Sequence, residues 1–199
     1  MDSVVLLHLL HTLATRFGWR LSALHVHHGI SSNADAWADF CTGLCARNDI
    51  PLHIERVNID LLRADHGIEA AARKLRQASF AAQDCDFVAL AHHADDQVEL
   101  FFLRLLRGAG GAGLAGMKWR SPSPADKQIS LIRPLLDFSK AELLDFARES
   151  KIRFRDDATN FSSDILRNRI RHDLLPRLRN QNLSENVFGH FLLIFESVF

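Results

Sequence analysis

Residues 87–91 of the chain read Phe-Val-Ala-Leu-Ala, without one polar side chain. Side chains alternate between the two faces of a strand, so an all-apolar strand belongs where both faces of its sheet are covered. That is typical of a parallel sheet flanked by helices. Patterning elsewhere supplies the flanking elements. It predicts a helix over 4–16 and a strand over 21–27, then a helix capped by Ser32 or Asn33 and reaching about Asn48. A strand over 51–57, a helix over 67–83, the apolar strand at 87–91 and a helix over 95–107 follow. Next come a polar loop with two prolines at 121–128, a last strand over 129–136, and a helix over 139–150 opened by a Ser139–Glu142 capping box. Beyond it the chain reads as helical, with a loop near 156–162 and no internal repeat.

Strands alternating with helices specify an α/β fold on a doubly wound parallel sheet. Such sheets bind ligands beyond the carboxyl ends of their strands. Two histidine-rich stretches fall at such ends, one at 25–29 and one at 91–96, and both are expected on the same rim.

Composition narrows the function classes. With 199 residues the chain fits one α/β domain and an appendage, or at most two small domains, and its net charge is zero. Arginine nevertheless outnumbers lysine 19 to 5, and 151–180 holds eight basic against four acidic residues. That local excess suits phosphate contacts, although a solvated helical face also explains it. Cys41, Cys45 and Cys85 show neither paired spacing nor a C-x-x-C, which argues against a disulfide framework or a zinc knuckle. No signal peptide or membrane span is expected, and the apolar tail FLLIFESVF is about half the length a span needs. A reducing cytoplasm is the expected compartment.

Gly108-Ala109-Gly110-Gly111-Ala112-Gly113 matches G-x-G-x-x-G letter for letter. It follows a helix instead of a strand, so a dinucleotide fingerprint is rejected for a helix C-cap and loop. His92-His93-Ala94-Asp95-Asp96 precedes a helix, and capping accounts for one aspartate. It leaves two histidines, a second aspartate and Glu99, a set able to hold Mg²⁺ on a nucleotide or to receive an ammonium. The downstream Val98, Phe101, Phe102, Leu105 and Leu106 are expected in the core. Arg73 and Arg76 stand three apart on one helix, and Arg167 and Arg171 four apart on another. Each pair reads either as a phosphate surface or as a solvated face.

Five ordered blocks, HVHHGISSNADAW, GIEAAARKLRQ, AHHADDQVELFFLRLLRGAGGAGLAGM, IRPLLDFSKAEL and DDATNFSSDILRNRIRHDLLP, cover roughly residues 1–178. Together they resemble the signature of bacterial tRNA(Ile)-lysidine synthases, within the N-type ATP pyrophosphatases that carry a PP-loop. The resemblance implies an adenine nucleotide alpha-hydrolase-like sheet, an ATP-binding domain over 1–137 and a helical tRNA-facing extension over 138–199. It implies ATP and Mg²⁺ as cofactors, and L-lysine and a CAU-anticodon isoleucine tRNA as partners, with a homodimer left open. In the implied reaction O2 of the wobble cytidine attacks the α-phosphate and pyrophosphate leaves. The lysine ε-amine then displaces AMP to give lysidine.

Carried onto this chain, the resemblance places Asp2, His92, Asp95, Asp96 and Glu99 at the adenylation centre, with Asp2 and Asp96 toward Mg²⁺. Asp2, Ser3, His27, His28, Arg73 and Arg76 would face ATP. Asp157, Asn160, Arg167, Asn168 and Arg171 would face tRNA, and the glycines from Gly108 to Gly116 would form a mobile loop. The family's ATP loop reads S-G-G-x-D-S after a first strand. Here only Asp2 and Ser3 of its end are present, with neither the Ser-Gly-Gly nor the strand. A central strand missing from such a sheet exposes the ladder edges of both neighbours. Leu100, Gln77 and Ala158 stand where the family usually has Thr, Tyr and Pro. The chain therefore reads as one cut at both ends. Two alternatives stay open, an ATP- and RNA-binding remnant with impaired catalysis and another PP-loop enzyme acting on a small molecule.

Overall fold

A computed structural model describes residues 1–29, 31, 33–58, 68–155 and 169–180. Helix α1 spans Asp2–Phe17, β1 Ala23–His27, α2 Ala34–Arg47, β2 Leu52–Arg56 and α3 Ile68–Ala81. Strand β3 is Phe87–Ala89, followed by α4, Ala94–Leu106, and a 3₁₀ turn at Gly111–Leu114. Strands β4, Arg120–Pro122, and β5, Ser130–Ile132, precede α5, Lys140–Glu149. A π-helical turn at Ile170–Leu174 runs into α6, Leu175–Asn180. The expected loop at 156–162 and the helical stretch beyond 180 lie outside the described residues.

These elements form two compact units that interleave along the chain. Ser3–Leu90 and Arg120–Ile132 make a sheet unit, while Met1–Asp2, Ala91–Trp119 and Arg133–Phe199 make an acid-rich unit. In the sheet unit, β1 pairs with β2 and β3 with β5, both in parallel, which is the α/β arrangement the sequence predicts. The ladder nevertheless stops twice. Its strand orders are β1-β2 and β3-β5-β4, and no described strand pairs with the other edge of β1 or of β3.

Two local expectations give way. The two-proline segment does not begin as a loop, because Ser121 and Pro122 lie in β4, antiparallel to β5. Pro122 is tolerated there because β4 is an edge strand, where a missing N–H leaves no ladder partner unsatisfied. Strand β3 is not covered throughout either. Phe87 is 52% exposed, shielded on one side by the Arg120 guanidinium 5.2 Å from its ring centroid. The sheet unit's core comes from Val5, Leu6, Ala38, Cys45, Ala71, Phe80 and Leu131.

The largest reversal is in α4. Its expected core residues Leu105 and Leu106 are exposed, and its buried positions are Asp96 and Glu99. Burying carboxylates costs several kcal/mol unless cations and N–H groups meet them, and the acid-rich unit supplies both.

Candidate active site

The chain leaves β3 and reaches α4 through residues 90–93, so the side chains of 92–96 are set by a helix N-terminus. His93 is the N-cap, and its backbone N–H donates to Asp96 Oδ2 at 3.0 Å. Asp96 thus serves as the acid of a capping box whose first member is His93. Asp95 accepts the backbone N–H of Lys140 at 2.7 Å and so satisfies an orphan donor at the start of α5. That helix opens with the predicted box. Glu142 N–H donates to Ser139 Oγ at 3.2 Å, and Ser139 N–H to Glu142 Oε2 at 2.7 Å. The Ser139 hydrogen bonds hold the Glu142 carboxyl below its usual range.

The result is a ring of charge around one imidazole. His93 is 2% exposed, with Asp96 Oδ2 at 3.5 Å, Asp95 Oδ2 at 3.7 Å and Asp2 Oδ2 at 3.8 Å from its ring nitrogens. Lys140 Nζ lies 3.7 Å from Asp2 Oδ2. Arg171 forks onto Glu99 with bonds of 2.5 and 2.9 Å and reaches Asp96 Oδ1 at 3.6 Å. Such bidentate geometry matches guanidinium to carboxylate and compensates Glu99, which is 0% exposed. Asp2 Oδ1 and His93 Nδ1 are buried without a hydrogen-bond partner among the described residues.

The structure therefore gathers four of the expected residues, Asp2, Asp95, Asp96 and Glu99, and turns Arg171 inward onto them. His92 is half-buried next to this ring. Sequence reasoning missed Lys140 and set His93 behind His92. Lys140 follows the capping serine of its block, and that was its only signal. Asp157, Asn160, Arg167 and Asn168 lie outside the described residues.

Hard oxygen donors suit Mg²⁺, but no group of three or more His, Cys, Asp or Glu among the described residues is arranged to hold a metal. Both Asp96 oxygens already face protein partners. Asp2 Oδ1 fits better, since Mg²⁺ commonly takes one or two carboxylates and completes its shell with substrate phosphates and water.

The glycine segment closes one side of this unit and is tethered. Gly108 has φ +77°, the left-handed conformation of a helix C-cap. Gln97 Nε2–H donates to Met117 carbonyl oxygen at 2.9 Å, and Met117 N–H donates to Gln97 Oε1 at 2.6 Å. Arg104 adds a bond to the Ala115 carbonyl. A Cβ on Gly116 would stand 2.9 Å from Gln97 Oε1, so a larger residue here would push the Gln97 amide off its two bonds to Met117. The mobile loop expected here is thus held to α4 at its far end.

In the sheet unit, His27 contacts Asp35 at 3.2 Å, and Arg56 reaches Asp35 at 3.0 Å and His27 at 3.5 Å. Asp35 is held below the usual carboxylate range by its Arg56 hydrogen bond. Burial pushes His28 down, helped by the nearby Arg76 charge and by His25 and His27. His25 is lowered by burial and then by His27, and its Nδ1 lies 3.7 Å from Cys41 Sγ. Burial raises the Cys41 thiol, so this is a neutral pair, not a thiolate nucleophile. Arg73 and Arg76 are exposed on α3 and Ser3 on α1.

A family model described as a PP-loop domain fits residues 1–178. The chain is 44% identical over 181 residues to the tRNA(Ile)-lysidine synthase of Neisseria gonorrhoeae and 41% identical over 181 residues to that of an Azoarcus species. Each match covers 91% of this chain and 40% of the relative, so the chain spans about two-fifths of those relatives' length. Among solved structures it is similar to the U34-tRNA thiolase NcsA from Methanococcus maripaludis, with TM-score 0.75 over 98% of this chain and 69% of that one. At 19% identity that likeness speaks for the fold alone.

Proposed function

This chain belongs to the PP-loop domain family, and we propose that it performs the ATP-dependent step of a tRNA-modifying ligase that joins L-lysine to the wobble cytidine of a CAU-anticodon isoleucine tRNA. The observation that carries this reading is the ring of Asp2, Asp95 and Asp96 about buried His93, with an ammonium already seated at Asp2. In the proposed division of labour, 1–137 handles ATP and 138–199 faces RNA. Bound Mg²⁺ would neutralise charge on the ATP phosphates, with Asp2 Oδ1 as its protein ligand.

The remaining roles belong to the chain's own side chains. His27, His28, Arg73 and Arg76 attract the triphosphate. The carboxylates of Asp95 and Asp96 orient the substrate ammonium and accept the proton that lysine sheds when its amine attacks. Glu99, fixed by Arg171, keeps α4 in register so that Asp96 holds its position. The names and identities of the lysidine synthase relatives support the choice of lysine and tRNA over a small-molecule acceptor.

The interrupted sheet favours a second reading, in which the chain binds ATP and RNA without turnover. Pyrophosphate release by this chain, given ATP, Mg²⁺, lysine and unmodified CAU-anticodon tRNA, separates the two. Release that requires the tRNA supports the ligase. Binding of both substrates without release supports the second reading. A folded chain that binds neither overturns both.

A further inference from the structure

Arg171 and Lys140 both reach the acid ring, and they are held in different ways. Arg171 is committed, since both arms of its fork lie on Glu99 and its side chain is only 21% exposed. Lys140 is committed at its base alone. Its backbone N–H donates to Asp95 Oδ2 at 2.7 Å, and two residues earlier the Phe138 carbonyl accepts the Ala94 N–H at 2.9 Å. These two bonds pin the start of α5 to the start of α4. The tip of the side chain is loose. Lys140 Nζ stands 3.7 Å from Asp2 Oδ2, beyond hydrogen-bonding distance, and the side chain is 43% exposed.

The carboxylate that Lys140 faces is only half used. Asp2 Oδ2 is shared between Lys140 Nζ and His93 Nε2, while Asp2 Oδ1 is buried with no hydrogen-bond partner among the described residues. His93, at 2% exposure, carries a second such atom, Nδ1. Buried polar atoms left in this way are costly, and they mark a site that a ligand completes.

We propose that Lys140 is a movable counter-ion, which holds Asp2 while no divalent cation is bound and leaves it for the phosphates of ATP when Asp2 takes up Mg²⁺. The inference rests on the ATP-binding part of the proposed function and gives a role to a residue outside the set expected from sequence. Charge is the reason for the exchange. An ammonium and a divalent cation on one partly buried carboxylate repel each other, and solvent screens that repulsion weakly. A lysine suits the movement, because its flexible four-carbon stem lets a point charge swing while the backbone stays clamped. The triphosphate supplies the destination. It approaches a site lined by Asp2, Asp95 and Asp96, where Arg171 is already spent on Glu99.

The test uses two ligands and one substitution, Lys140→Met, with Lys140→Gln as a second variant and circular dichroism to check folding. Mn²⁺ stands in for Mg²⁺, and its uptake by the chain alone is read from the loss of the free-ion signal in electron paramagnetic resonance. Without nucleotide, the variants should bind Mn²⁺ about tenfold more tightly, because a competing charge is gone. With Mg²⁺ present, the same variants should bind a fluorescent ATP analogue about tenfold more weakly, because a phosphate contact is gone. Lys140→Arg, which keeps the charge, should recover most of the nucleotide affinity. A lysine that merely supported the fold would move both affinities the same way. Mn²⁺ binding that is unchanged or weaker in a folded variant overturns the inference, and so does unchanged nucleotide binding. So does an unaltered chain that binds the ATP analogue yet takes up no Mn²⁺ by itself. In each of these cases the proposed function stands and only the role of Lys140 falls. A folded, unaltered chain that binds neither Mn²⁺ nor the ATP analogue overturns both.

Discussion

The acid ring and the histidine rim hold their charged side chains in opposite ways. In the ring, Glu99 is 0% exposed and meets Arg171 through two parallel bonds, and His93 is enclosed by three carboxylates. On the rim, Asp35 and Arg56 meet at 3.0 Å while both remain mostly in water. Exposed pairs contribute little, since solvent and salt screen them and side-chain entropy opposes them. Enclosed pairs contribute mainly by how much their loss costs. The ring is therefore structure and candidate chemistry together. On the rim, the exposed Asp35 and Arg56 can turn toward a ligand at small cost.

The sharpest way to break this contrast is Arg171→Ala. It leaves Glu99 buried without its fork and should lower stability by about 3–5 kcal/mol in urea unfolding. Replacing both Glu99 and Arg171 by Met should recover most of that loss. A small effect of the single change would show that water reaches Glu99 and that the ring resembles the rim. Next in size is Gly116→Ala, which pushes a methyl group into the Gln97 amide and should cost about 1–2 kcal/mol through the two clasp bonds, read as a lowered melting temperature.

A smaller effect belongs to pH. His25 and His28 are both held below the ordinary histidine value, so the unfolded chain binds more protons between those lowered values and about 6.5. Stability should be intact above that window and fall as pH drops through it. His25→Gln/His28→Gln should flatten the dependence, and a stability that rises on acidification would contradict it. Smallest of all, Arg56→Ala should leave the urea midpoint unmoved, and a clear shift would mean the rim is more rigid than its exposure implies.

Much of this was legible in the sequence, and the misses share a cause. Alternating elements, the Ser139–Glu142 box and the Gly108 cap are decided within a few residues, and they appear as read. The core face of α4 was not legible, because apolar periodicity marks Leu105 and Leu106 for burial. The actual choice depends on Arg171, 72 residues from Glu99. The tether of the glycine segment was hidden for the same reason, since nothing local shows that Gln97 will close on Met117. In the site, the acids stood out as a cluster, whereas Lys140 became visible only once α5 was placed beside Asp95.

The stop in the ladder between β1 and β3 also divides the cooperativity of the sheet unit. Backbone hydrogen bonds reinforce one another along a continuous ladder, and that reinforcement ends where pairing ends. The two-stranded piece and the three-stranded piece can then open at different free energies, each with its own protection of amide protons from exchange with solvent. Among the described strands, the two-stranded piece has the least backbone pairing to keep it closed.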